Sequence, residues 1–99
     1  MQISDIKIRR LYSEGRLRAL VSITVDGELA VHDIKVIEGP ERTFVAMPSR
    51  KEESGGYRDI VHPITPEARR LIESSILEEY ERYKALKESE ETAKEEPEG

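Results

Sequence analysis

The side chains best suited to chemistry in this sequence are basic, and most of them come in closely spaced pairs. Guanidinium and ammonium groups bind phosphate oxygens through charge-assisted hydrogen bonds, so such pairs suit the backbone of a nucleic acid. Each pair taken alone is more often ordinary solvated surface. The candidate nucleic-acid contacts are, in chain order, Arg9, Arg10, Arg16, Arg18, Arg50, Lys51, Arg58, Arg69 and Arg70.

Acid–base chemistry has weaker support. His32 and Asp33 are adjacent, so in a strand their side chains point to opposite faces, and Asp59 and His62 also differ in parity. A shared site would need the fold to bring His32 and His62 together, which sequence spacing does not specify. The chain carries no nucleophile elbow, no phosphate-binding glycine loop and no His-Glu-x-x-His motif. We therefore predict a protein that is not an enzyme and uses no metal or other cofactor.

The overall charge is negative, but its distribution leaves room for a polyanionic partner. The net charge is −5 in 99 residues. Residues 73–99 hold ten glutamates against four Lys and Arg, or −6, which leaves +1 for residues 1–72. There is no cysteine, and no apolar stretch approaches the ~20 residues needed to span a bilayer. These features predict a cytoplasmic protein with no membrane contact.

Five strands and one helix must position the basic groups. Apolar residues alternate along most of the first three strands, and the Asp26-Gly27 turn between the second and third is a strong hairpin signal. The alternation breaks near His32, where a bulge or bend would fit. Residues 49–56 have the composition of a loop. The predicted strands cover residues 3–12, 16–25, 28–37, 43–47 and 57–62.

An amphipathic helix is predicted from residue 66 to residue 86. Thr65 suits its N-cap and Pro66 its first position. The tyrosines Tyr80 and Tyr83 fit its apolar face and are expected to be core or dimer contacts. Residues 87–99 have few apolar side chains and are predicted to form a disordered acidic tail. The fold class is thus α+β, a five-stranded antiparallel β-meander followed by one helix, in a single domain of residues 1–86. The exposed sheet edges and the small core favour a homodimer.

Three stretches resemble the bacterial SpoVG family of stage V sporulation and septation regulators. They are RLRALVSITVDGELAVHDIKVI, FVAMPSRK and YRDIVHPI, in this order, within residues 1–80. The resemblance implies a small dimeric regulator that binds DNA or RNA and acts on gene expression, including cell-envelope functions. It places nucleic-acid contacts on the loop after Met-Pro-Ser, where Arg50 and Lys51 match, and near the helix start, where Arg69 and Arg70 lie. Arg58 falls in the shared Tyr-Arg-Asp stretch and has a possible structural role.

Two further hypotheses remain open at this point. Glu52 and Glu53 follow the basic pair, and the acidic tail could compete with nucleic acid for the basic surface. Alternatively, the chain is a protein-interaction module that acts on a division or regulatory partner through a sheet edge or the apolar side of the helix.

Overall fold

A four-stranded antiparallel sheet forms the body of the protein, with strand order β1-β2-β3-β4. The computed structural model describes residues 1–95, and their side chains through residue 90. The strands are β1 (Ile3–Leu11), β2 (Leu17–Val25), β3 (Leu29–Glu38) and β4 (Thr43–Ala46). The predicted α+β class and the first four strands of the meander are confirmed.

The turn between β2 and β3 has the geometry that the Asp-Gly signal predicts. Asp26 and Gly27 both have positive φ, 52° and 67°, and the amide of Glu28 donates to the carbonyl of Val25 at 3.0 Å. Two consecutive left-handed residues match the right-handed twist of the flanking strands. This turn sets the register that places alternate side chains of β2 on the core side.

The predicted fifth strand does not join the sheet. Residues Tyr57–Asp59 form β6, which pairs with β5 (Ser49–Lys51) in a separate two-stranded ribbon. The fifth predicted strand is thus present over Tyr57–Asp59, but its place in a five-stranded meander was predicted wrongly. The loop predicted over residues 49–56 is confirmed for residues 52–56 and wrong for Ser49–Lys51, which form β5. Pro48 ends the ladder at β4, since it has no amide hydrogen, and the chain folds back on itself instead.

One long helix, α1 (Pro66–Glu95), packs across one face of the sheet against β1 and β4. Its start is confirmed, because Thr65 Oγ1 accepts a hydrogen bond from the amide of Ala68 at 3.1 Å. Its end is not: residues 87–95, predicted as disordered tail, are helical. Residues 96–99 of the predicted tail lie outside the described residues.

The core lies between α1 and the sheet. Ile76 of α1 is fully buried, with Ile72 and Tyr80 on the same helix face. The sheet contributes Ala19, Val21, Ile23, Val31, Ile34, Val36 and Val45, and Met47, just after β4, joins them. Tyr80 is confirmed as a core residue. Because α1 covers one side only, the opposite side, called here the helix-free face, has no element over it among the described residues.

Candidate nucleic-acid interface

The β5–β6 ribbon carries three of the predicted contact residues. Arg50 lies directly opposite Arg58 in the ladder, and Lys51 lies opposite Tyr57. Directly opposed residues point to the same side, so the two guanidinium groups share one face of the ribbon and Lys51 lies on the other. All six ribbon residues are exposed.

The closing turn of the ribbon is held by backbone hydrogen bonds. The amide of Glu52 donates to the carbonyl of Gly56 at 2.8 Å, and the amide of Gly55 donates to the carbonyl of Glu52 at 3.0 Å. Gly55 has a φ of 100°, which only glycine adopts readily. At the base, the amide of Ile60 donates to Pro48 at 2.8 Å. The arginine pair thus stands on a short ribbon fixed at both ends.

The Arg50–Arg58 pair has little local charge compensation. Arg58 Nε lies 3.9 Å from a carboxylate oxygen of Glu52, a long contact in which the Arg58 side chain stays 79% exposed. Exposed ion pairs of this kind contribute little, and like charges directly opposite each other destabilise a ladder. A ribbon that keeps two arginines opposed has a charge arrangement suited to an anionic ligand.

The helix start lies near the base of the ribbon. Arg69 lines a small cavity together with Met47 and Pro63, which border the two ends of the ribbon segment. Its amide is already bonded to the carbonyl of Thr65 at 3.0 Å, while its side chain is exposed. Arg70, the next residue of α1, is also exposed. The structure therefore brings Arg69 close to the base of the ribbon that carries Arg50 and Arg58.

Two other predicted contacts lie on the helix-free face. A register shift between Ile8 and Arg10 makes Arg9 an extra residue in β1. Arg10 lies opposite Leu20, a residue on the non-core side of β2, so its side chain emerges on this face. Arg9 Nε donates to Ser22 Oγ at 3.2 Å, which fixes its side chain on this face.

Arg16 and Arg18, two further candidate contacts, do not share a strand face. Arg16 precedes β2, and Arg18 is the extra residue at a second register shift, between Leu17 and Ala19. Arg18 forms an ion pair with Glu38 and donates to the carbonyl of Ser13 at 3.1 Å. Its charge is satisfied within the protein, so the structure gives it a structural role.

Arg18 also borders a cleft of about 460 Å³ at the end of the sheet beneath α1. The cleft is lined by both signs of charge. Lys84 stacks on the Tyr80 ring at 5.7 Å, and Lys87 stacks on the Tyr83 ring at 5.4 Å. Electrostatic interaction with Tyr83, and to a smaller extent with Glu90, raises the pKa of Lys87. These cations are already partnered within the protein.

The histidines are accounted for by local hydrogen bonds. His32 Nδ1 lies 2.8 Å from Ser22 Oγ, and His62 Nδ1 lies 3.2 Å from the carbonyl of Pro63. The predicted bulge near His32 is confirmed by the register shift opposite Ser22 and by the positive φ of Asp33, 62°.

Over the described residues, no group of three potential ligands is arranged to hold a metal ion. No described helix is long and apolar enough to cross a membrane.

Sequence reasoning missed two cations that share the helix-free face with Arg9 and Arg10. Lys7 pairs with Ser22, and Lys35 pairs with Leu20, whose neighbours in sequence are core residues. The alternation of β1 and β3 already places both lysines opposite the apolar side chains. They were missed because they are single residues and not pairs.

The sequence of this chain is similar to those of a known protein family. The SpoVG family model matches residues 1–82. This chain belongs to the SpoVG family. Several relatives carry the name "Putative septation protein SpoVG". That of Clostridium acetobutylicum is 55% identical, over 85% of this chain and 88% of its own length. That of Lachnoclostridium phytofermentans is 58% identical, over 82% of this chain and 87% of its own length. That of Caldanaerobacter subterraneus subsp. tengcongensis is 52% identical, over 85% of this chain and 92% of its own length. The family match covers the sheet, the ribbon and the part of α1 that packs on the sheet.

Proposed function

We propose that this SpoVG-family protein is a homodimeric, cytoplasmic regulator of gene expression that binds nucleic acid, DNA or RNA, in a process connected with septation, sporulation or the cell envelope. The observation that carries the proposal is the opposed Arg50–Arg58 pair on an exposed ribbon. The mechanism is binding alone: phosphate neutralisation and a few groove contacts, with no bond made or broken.

The dimensions of the ribbon favour the major groove of duplex DNA. Two paired strands lie ~4.8 Å apart, and the major groove of B-form DNA, ~12 Å wide, admits a two-stranded ribbon. The major groove of A-form RNA is deep and narrow, so side chains on a ribbon reach it poorly. One face would present Arg50 and Arg58 to the groove, and Arg69 at the base would contact the phosphates alongside.

A homodimer would supply two such ribbons, and an exposed apolar patch offers the contact. Four large apolar side chains lie exposed just after β6 and in the first two turns of α1: Ile60 at 63%, Val61 at 40%, Ile64 at 86% and Leu71 at 37%. Clustered exposed apolar side chains mark interaction surfaces. The patch adjoins the ribbon in sequence, so pairing two copies through it would bring two ribbons into one assembly.

The same patch favours the second candidate function, a protein-interaction module. In that case the partner would be a division or regulatory protein, and the effect on gene expression would be indirect. Pull-down from cell extract with and without nuclease separates the two. Partners retained after nuclease treatment, with no binding of purified protein to nucleic acid, would favour the module.

The direct test compares the wild-type protein with the double variant Arg50→Ala/Arg58→Ala. Its matched control is Arg42→Ala/Arg82→Ala, which removes the same charge at exposed sites where each arginine already pairs with a helix glutamate. Binding of a labelled 20-bp DNA duplex should weaken at least ten-fold in the ribbon variant and less than three-fold in the control. Equal affinities for the ribbon variant and the wild type would refute the proposed interface.

A further inference from the structure

The helix-free face gathers four cations from two strands. The register places Lys7, Arg10 and Lys35 opposite the non-core residues of β2, and the bulge in β1 adds Arg9. All four are exposed. Because α1 lies on the other side, nothing in the described part of the chain covers them.

Two of these cations are held in place by neighbours, and none is neutralised. The Oγ of Ser22, a residue only 6% exposed, bridges Arg9 Nε at 3.2 Å and His32 Nδ1 at 2.8 Å. Arg10 stacks on the Tyr12 ring at 5.6 Å. Among the described side chains, the four cations form no ion pair, although five other basic residues do. Asp5 pairs with Thr24 on this face, and Asp33 lies at its bulge, so positive charge stays in excess.

An apolar strip runs beside the cations. Ile37 lies opposite Phe44, and Leu20 lies opposite Lys35 in the neighbouring row. Each of these three apolar side chains is half-buried. A Cβ at Gly39 would lie 3.1 Å from Cε1 of Phe44, so the ring lies close against this glycine. The face therefore combines four cations with an aromatic ring and aliphatic side chains.

We propose that the helix-free face is a second binding surface, for single-stranded nucleic acid. Single strands are bound by surfaces that pair cations for the phosphates with aromatic and apolar side chains for the unstacked bases. Lys7, Arg9, Arg10 and Lys35 would contact the backbone, and Phe44 would stack with a base.

Its shape distinguishes this surface from the ribbon. Four strands at ~4.8 Å spacing are ~14 Å wide before side chains are added, which exceeds the ~12 Å major groove. A single strand can instead lie across a flat face with its bases turned toward the protein. The inference shares its ligand class with the proposed function but uses different residues, so either can fail alone.

The test uses the full-length chain and the exposed pair Lys7→Ala/Lys35→Ala. Phe44→Leu removes the ring and keeps an apolar side chain, and Arg42→Ala/Arg82→Ala is again the charge-matched control. Fluorescein-labelled 20-nucleotide oligo(U) and oligo(dT), together with a 20-bp DNA duplex, are titrated by anisotropy. Circular dichroism and the melting temperature verify the fold of each variant.

We expect Lys7→Ala/Lys35→Ala to weaken single-strand binding at least ten-fold and Phe44→Leu at least five-fold, with duplex binding within three-fold of wild type. The ribbon variant Arg50→Ala/Arg58→Ala should show the opposite selectivity. Unchanged single-strand binding in both face variants would overturn the inference. A face that binds a peptide of residues 73–95 in a lysine-dependent way, but neither oligonucleotide, would also overturn it and assign the face to an acidic protein segment.

Discussion

Removing the opposed arginines should change the salt dependence of duplex binding by an amount that counts the ribbons engaged. Each phosphate contact contributes about −0.9 to the slope of log affinity against log salt concentration. Arg50→Ala/Arg58→Ala deletes two cations per chain, so the slope should become shallower by about 1.8 if one ribbon is bound and by about 3.6 if a dimer uses two. Raising NaCl from 50 to 200 mM should therefore weaken binding of the variant less than binding of wild type. The difference between the two losses of affinity should be about 12-fold if one ribbon is bound and about 150-fold if two are.

The assay is anisotropy of a labelled duplex at four salt concentrations over that range. Lys51→Ala provides a geometric control, because Lys51 lies on the opposite face of the ribbon from the arginine pair. It should change the slope by less than Arg50→Ala does. All six ribbon residues are exposed, so the melting temperature should stay close to that of wild type. A double variant that binds more weakly with an unchanged slope would refute phosphate contact by these arginines.

Three further perturbations test the packing around the interface. Ile60→Asp/Ile64→Asp places charge in the exposed apolar patch and should convert the proposed dimer to a monomer in light scattering; a dimer that persists would exclude the patch as its contact. Ile76→Ala should lower the free energy of unfolding by about 2–5 kcal/mol in urea, because its fully buried side chain leaves a cavity, whereas Ile64→Ala should have little effect on the monomer. Thr65→Ala should cost about 1 kcal/mol, or ~4–8 °C in melting temperature, and Thr65→Ser should restore most of it.

The sheet was predictable from the sequence because each of its strands has a buried side. Val21 and Ile23 alternate with the polar residues Ser22 and Thr24, and this alternation reflects the packing of one face on α1. The Asp26-Gly27 turn added a local signal that fixed the register. Strand bounds accordingly agree with prediction to within a few residues for the four strands of the sheet.

The ribbon was not predictable in the same way. β5 consists of Ser49, Arg50 and Lys51, all exposed, so no alternation of apolar and polar side chains marks it. Its pairing depends on the backbone bonds of the Glu52–Gly56 turn. The end of α1 was predicted wrongly for a related reason. Residues 87–95 have few apolar side chains to pack, but Glu, Lys and Ala are good helix formers and extend α1 without packing.

For the interface, the β-bulges were harder to predict than the strands and the helix. Strict alternation after Ile6 and Ile8 would place Arg9 and Arg10 on opposite faces, with Arg10 in the core layer. The extra residue in β1 brings both to the helix-free face, and a second bulge turns Arg18 toward Glu38. A single inserted residue thus decides which arginines are available to a ligand, and residue spacing alone does not reveal it.

The segregation of charge reconciles a net charge of −5 with a nucleic-acid partner. The basic groups proposed to bind lie on the ribbon, the helix start and the helix-free face, whereas the acidic residues concentrate toward the C-terminal part of α1. The core contacts of α1 end at Tyr80, so much of this acidic part extends beyond the buried helix positions. Phosphates would repel that end and attract the opposite one, which orients the protein before contact. The acidic helix end therefore favours the approach in which the ribbon arrives first, and does not argue against binding.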